Sequence, residues 1–254
     1  MIYIKLLMDH AKACGEPGQA TVRVTGMPDS TALPYDAVLF DCDGVLVDSE
    51  AITNTVLRTM LHELGWPISA ADCFRIFVGR ALRDETAVIE AHTGYTVTDD
   101  WLDGFRKRRN DALTLDLLPI PGAVDAAREI DRLYRGRLAC ASGADRHKVE
   151  LQLTKVGLDT VFAGKIFSGM ETPHSKPAPD VYLAAAAALG VDPARTAVIE
   201  DTPTGVRAGV AAGATVFGYC PPDSPAHNDP RVLLEAGASH IFTDMARLPA
   251  ELSH

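Results

Sequence analysis

From Ala123 to Phe242, short apolar runs alternate with segments that carry a helical pattern, and this beat constrains the fold more than any other feature. The helical patterns span 123–133, 145–156, 178–189 and 205–212, with apolar runs at 137–141, 165–167, 197–199, 215–219 and 240–242. Gly190 and Gly213 stop two of the helices. Strands that alternate with helices argue for an α/β fold with a doubly wound (Rossmann-like) parallel sheet. The first strand comes earlier. Ala37 to Phe40 is apolar without a break and runs into Asp41-Cys42-Asp43-Gly44. Such a run, closed by glycine, is expected to be buried on both faces.

Between that strand and the regular beat, residues 50–117 hold helix patterns and no strand. From Ser49 to Leu64, Ile52, Val56 and Met60 recur at a spacing of four, as do Leu57 and Leu61, before Gly65 and Pro67 close the segment. Further helices are expected near 70–78, 83–92 and 99–113, and the block ends at Pro119 and Pro121-Gly122. The expected organisation is an α/β core of 35–49 and 118–254 with an inserted helical cap of 50–117. An insertion there would hang over the carboxyl ends of the strands, where such folds bind ligands. Residues 1–34 read as an N-terminal extension, partly disordered. The apolar start, Met1 to Met8, is met at once by Asp9, His10 and Lys12, so it is too short for a signal-peptide core. The alanines at 184–188 read as tight helix packing.

Charge and cysteine content narrow the partners. The chain of 254 residues carries 24 Lys+Arg against 34 Asp+Glu, a net charge of −10. An acidic surface repels phosphate backbones, so nucleic acid and anionic membranes are not expected partners. No run of ~18 apolar residues occurs to cross a membrane. The five cysteines are scattered without a CxxC pair. This usage fits reduced thiols in a cytoplasmic protein, neither a disulfide framework nor a zinc site.

Four segments could carry chemistry. Asp41 and Asp43 stand two residues apart at a strand end, so both are expected on one side, where a cation or a shared proton would relieve their repulsion. Glu200-Asp201 repeats the doublet at another strand end. Turn or capping roles explain one doublet but hardly two. Strand ends of a parallel sheet converge, so up to four carboxylates are expected in one crevice, an oxygen site suited to Mg²⁺. Ser142-Gly143 is expected to end a strand and open a helix, as an anion site or an ordinary N-cap. Lys176 sits in the proline-stiffened stretch His174–Asp180, where it can bind phosphate or simply be solvated.

Together these segments resemble the haloacid dehalogenase superfamily of phosphohydrolases. The matches are Asp41-Cys42-Asp43-Gly44-Val45 (its DxDG(T/V) signature), Ser142, Lys176 in KPAPD, and Glu200-Asp201-Thr202-Pro203-Thr204-Gly205 (its EDSxxG motif). Their order and spacing agree over about residues 35–245. The resemblance is strongest to the helical-cap subgroup, which holds sugar-phosphate phosphatases and β-phosphoglucomutase. Ile166–Met170 and Phe217–Cys220 lean toward phosphatases of small sugar phosphates such as 6-phosphogluconate. Thr202 in place of serine, Ser175 in place of glycine and Gly143 after the motif serine are the departures.

The resemblance implies a Mg²⁺-dependent phosphatase of small phosphomonoesters. Asp41 would be the nucleophile that forms an aspartyl phosphate, and Asp43 the general acid, then base. The metal ligands would be Asp41, the Asp43 carbonyl oxygen and Asp201, with Glu200 acting through a water. Ser142, Gly143 and Lys176 would bind the phosphoryl oxygens. In the cap, Arg80, Arg83 and Arg109 are the expected substrate residues, and Arg106, Arg109 and Asn110 are expected to share a helix face. A solvated basic face is the plainer alternative. A phosphomutase is the competing activity, since 108–111 is similar to a cap stretch of β-phosphoglucomutases. Thr53 stands where those enzymes carry histidine, which weakens that reading. A dehalogenase lacks the second aspartate, and a phosphonatase needs a Schiff-base lysine where only Lys107 occurs, late in the cap. A catalytically silent binding protein is the remaining alternative. A monomer or weak homodimer is expected.

Overall fold

The unbroken apolar runs become neighbouring strands of one sheet. A computed structural model describes residues 33–77, 82–222 and 229–253, so the proposed extension lies outside the described residues except for Leu33 and Pro34. In chain order the first elements are β1 (Ala37–Phe40), β2 (Val47–Asp48), α1 (Glu50–Glu63), α2 (Ala70–Phe77), α3 (Thr86–Thr93) and α4 (Asp99–Asp116). Then come β3 (Leu118–Pro119), α5 (Ala123–Leu133), β4 (Leu138–Ser142), α6 (Arg146–Lys155), β5 (Ile166–Ser168) and α7 (Asp180–Leu189). The chain closes with β6 (Thr196–Glu200), α8 (Pro203–Ala211), β7 (Thr215–Tyr219), α9 (Pro230–Glu235), β8 (His240–Phe242) and α10 (Leu248–Glu251).

The sheet order is β5-β4-β1-β6-β7-β8, and every neighbouring pair is parallel. From β1 the chain builds outward through β4 and β5, then crosses to the other side of β1 for β6. That reversal leaves a crevice at the carboxyl ends of β1, β4 and β6, where two loops depart in opposite directions. All three strands are buried along their whole length, as their lack of polar alternation requires.

Successive side chains point to opposite faces. Val38 and Phe40 pack with Ile130 of α5 and with Val149 and Leu153 of α6. Leu39 packs on the other face with Val181 and Tyr182 of α7 and Val206 of α8. Ala185 and Ala186 are buried there, so the alanine run does let α7 lie close to the sheet. The helices between β2 and β3 have a core of their own, including Leu57, Leu61, Phe77, Ile89 and Phe105.

Some boundaries differ from the sequence reading. β4 and β6 run on to Ser142 and Glu200, because both residues stay in register with a neighbouring strand. The ribbon of β2 and β3 is only two residues wide, too short to show periodicity, yet it ties the start of the helical block to its end. The α9 and α10 segments are similarly short. Cys42, Cys73, Cys140 and Cys220 are all buried thiols. Among the described residues no helix is long and apolar enough to cross a membrane.

Candidate active site

The site begins one residue past β1. The Asp41 N–H donates to the Ile199 carbonyl at 3.0 Å, so Asp41 still follows the strand geometry. Its side chain alternates with that of Phe40 and falls on the α7 side. There Lys176 Nζ, just before α7, lies 2.7 Å from Asp41 Oδ1 and 2.7 Å from Glu200 Oε1. Tyr182 of α7 donates its hydroxyl to the same Glu200 oxygen at 2.8 Å. Its ring centroid lies 4.7 Å below the Lys176 ammonium. The other Glu200 oxygen accepts from the N–H groups of Asp201 (3.1 Å) and Thr202 (3.2 Å) and from the Thr202 hydroxyl (3.1 Å). That hydroxyl in turn accepts from the Gly205 N–H and caps α8.

Two glycines make the approach possible. Gly44 turns with φ +76°, and a Cβ on it would sit 2.0 Å from Asp201 Oδ2. A Cβ on Gly205 would sit 1.7 Å from Glu200 Oε1.

Negative charge is in excess here. Carboxylate oxygens of Asp41, Glu200 and Asp201 lie within 4.8 Å of one another, and all three residues are buried. Burial pushes the Asp41 carboxyl up to about 7 even though Lys176 pulls it down, because Glu200 and Asp43 add to the burial. Burial, then Glu50, Glu200 and Asp41, hold Asp201 well above the usual carboxylate range. Burial opposes the Lys176 ammonium, but Asp41 and Glu200 outweigh it and keep the lysine charged. Asp201 Oδ1 is buried with no hydrogen-bond partner among the described residues. An orphaned buried oxygen facing hard carboxylate donors fits a divalent cation such as Mg²⁺. Glu200, whose two oxygens already accept five hydrogen bonds, fits an outer, water-mediated place better than a direct one.

Asp43 corrects the sequence reading. Its carboxylate lines the same cavity as Asp41 but is turned toward α6, and it is not among the clustered three. Gly44 turns the chain, Cys42 packs into the α6-side core, and Asp43 faces α6. Lys148 Nζ (2.7 Å), Gln152 Nε2 (2.8 Å) and the Ser49 hydroxyl all donate to Asp43 Oδ1. Burial would raise this carboxyl, but Lys148 foremost, with Ser49 and Gln152, brings it down to about 2.

Ser142 ends β4 but opens no helix. Asp145 caps α6, accepting from the Lys148 N–H at 2.9 Å. The Ser142 oxygen accepts from the Ala144 N–H at 3.1 Å, which leaves its own proton to donate. A cavity of about 470 Å³ opens over these groups, and Ser142, Gly143, Lys148 and Lys176 line it along with Asp41 and Asp43. The helical block supplies the opposite wall, including Leu57, Phe77, Phe105 and the arginines 83, 106 and 109.

The expected cap arginines part company. Arg80 lies outside the described residues. Arg83 is exposed, 3.6 Å from Asp99. Arg106 pairs with Asp103. Arg109 is buried, not part of a solvated face: it donates to Asp145 Oδ2 at 2.9 Å and to its neighbour Asn110, and lies over the Phe105 ring.

Residues 35–213 match the family model for haloacid dehalogenase-like hydrolases. The chain belongs to that family. It is 27% identical over 214 residues to 6-phosphogluconate phosphatase of Escherichia coli K12, covering 84% of this chain and 93% of the relative. It is 30% identical over 208 residues to a phosphorylated carbohydrates phosphatase of Thermotoga maritima, covering 80% and 92%. A solved hydrolase of the same family from Deinococcus radiodurans, holding phosphate and sodium, superposes with a TM-score of 0.68 at 34% identity, covering 87% and 96%. The sugar-phosphate phosphatases of this family are therefore the relatives that the motif resemblance pointed to.

Proposed function

We propose that this hydrolase cleaves small phosphomonoesters, sugar phosphates or phosphorylated sugar acids, through an aspartyl phosphate on Asp41. The observation that carries the reading is Asp41 itself, buried at the cavity floor between Lys176 and the acidic cluster. The activities named for the Escherichia coli and Thermotoga relatives support the substrate class.

An Asp41 carboxylate oxygen attacks phosphorus while the bond to the leaving oxygen breaks. Asp43, held ionised by Lys148 in the free protein, takes up a proton as the anionic phosphate enters and offsets that pull, then gives it to the leaving oxygen as the alcohol departs. Asp43, now a carboxylate, takes a proton from water as the water attacks the aspartyl phosphate, which frees phosphate and restores Asp41. Lys176, the Ser142 hydroxyl and the Gly143 N–H hold the phosphoryl oxygens, and Glu200 with Tyr182 fixes the lysine. Asp41, Asp201 and the Asp43 carbonyl would hold Mg²⁺, with Glu200 through a water, and the ion supplies charge that offsets carboxylate against phosphate. The helical block serves as the cap over the leaving group, with Arg83 at its rim. The acidic, thiol-bearing chain fits a cytoplasmic enzyme.

Hydrolysis of p-nitrophenyl phosphate should require Mg²⁺ and stop with EDTA. Turnover that EDTA leaves untouched overturns the metal assignment, and no turnover at any metal concentration favours a silent binding protein. A mutase must also grip a distal phosphate, and buried Arg109 is already committed to Asp145. β-Glucose 1-phosphate should therefore yield free phosphate. Formation of glucose 6-phosphate instead makes the protein a mutase.

A further inference from the structure

Three donors converge on a single oxygen of Asp43. Lys148 Nζ, Gln152 Nε2 and Ser49 Oγ all bond Oδ1, and among the described residues Oδ2 has no hydrogen-bond partner. This asymmetry is built from buried parts. Lys148 is 7% exposed and Gln152 is 0% exposed, one helical turn apart on α6. Gln152 is itself oriented, because its Oε1 accepts from the Cys42 thiol at 3.4 Å, which decides that its amide nitrogen faces Asp43. The backbone of Lys148 is anchored too, through the Asp145 cap. A buried ammonium is costly to keep unless it has work in its place, and the phosphoryl-binding lysine of this site is already Lys176.

We propose that Lys148 and Gln152 are positioning residues for Asp43. They grip Oδ1 so that Oδ2 alone is left facing the leaving oxygen and the attacking water, and takes and gives the proton once substrate is bound. The inference rests on the acid–base role proposed for Asp43. In the first step the P–O bond pair stays with the leaving oxygen and takes up the Oδ2 proton. In the second, Oδ2 receives a proton from the attacking water. Rotation of an unclamped carboxylate would present either oxygen at either angle, and catalysis that depends on a fixed donor loses efficiency steeply with misplacement.

The test compares kcat/KM for two phosphomonoesters. An alkyl phosphate such as a hexitol phosphate needs the leaving oxygen protonated, whereas p-nitrophenolate leaves without a proton. In Lys148→Met, kcat/KM for the alkyl ester should fall at least ~10-fold further than for the aryl ester, within the ~10²–10⁴-fold range of general acid catalysis. Lys148→Arg should recover part of the difference. Gln152→Met should show the same split in smaller degree, and it carries the test alone if Lys148→Met does not fold. Equal losses on both esters, or none, overturn the proposal: equal losses make Lys148 a phosphate binder or a structural residue. Asp43→Asn separates the two levels. A split there without one at 148 and 152 sinks the positioning role alone. No split in Asp43→Asn sinks the acid–base reading and the inference with it.

Discussion

At the sheet edge Lys176 is buried between two carboxylates, each 2.7 Å away, and Tyr182 packs beneath it. On the rim of the helical block Arg83 stands more than half exposed, 3.6 Å from an almost fully exposed Asp99. Both are cations beside one cavity, but only the first is fixed. Burial raises the cost of leaving any member of the Lys176 network unpaired, so its geometry is dictated. A solvated pair is screened and replaceable, so Arg83 is free to serve substrate choice without endangering the fold. Arg109 lies between these extremes, buried yet bonded across from α4 to the Asp145 cap of α6.

The largest effect that sharpens this contrast is chemical. Asp41→Asn should lower kcat by at least about 10⁴-fold, as loss of an essential nucleophile does, while circular dichroism stays native. Substantial turnover would remove Asp41 from the nucleophile's place. Next, Lys176→Met leaves two buried carboxylates without their cation and should cost about 3–5 kcal/mol in urea unfolding. A loss under about 1 kcal/mol would mean that the edge is as forgiving as the rim. Arg109→Ala should cost about 1–3 kcal/mol, since it strands a partly buried Asp145, and Asp145→Asn should recover part of that. Arg83→Ala should leave stability within about 0.5 kcal/mol and change the ranking of substrates in a panel of phosphorylated sugars. A large drop in unfolding midpoint there would erase the distinction between the two regions.

What was readable in the chain follows the same division. Ala37–Phe40, Arg137–Ala141 and Ala197–Ile199 announce buried parallel strands because, past Arg137, no polar residue interrupts them, and whatever follows such strands meets at one edge. Asp41, Glu200, Asp201 and Lys176 come together for that reason. Lys148, Gln152 and Tyr182 were not legible, because their roles depend on how α6 and α7 are rotated against the sheet. Lys148 and Gln152 meet Asp43 across more than a hundred residues, and nothing in local periodicity reports such a pairing. A lysine and a glutamine four apart on a helix of low amphipathicity was the one available signal, and alone it looks like a solvated face. Asp41 and Asp43 diverge because the strand ends at Phe40 and the chain bends at Cys42, so the two-residue alternation that put both on one side no longer holds at Asp43.

The aspartyl phosphate can be sought directly. Protein mixed with a sugar phosphate and Mg²⁺, quenched in acid and reduced with borohydride, converts an acyl phosphate on aspartate into homoserine, which peptide mass spectrometry locates. An aspartyl phosphate on Asp41 predicts homoserine at position 41 and at no other aspartate. Phosphate found on Ser142 or another residue, or turnover with no modified aspartate trapped at any time point, would contradict it.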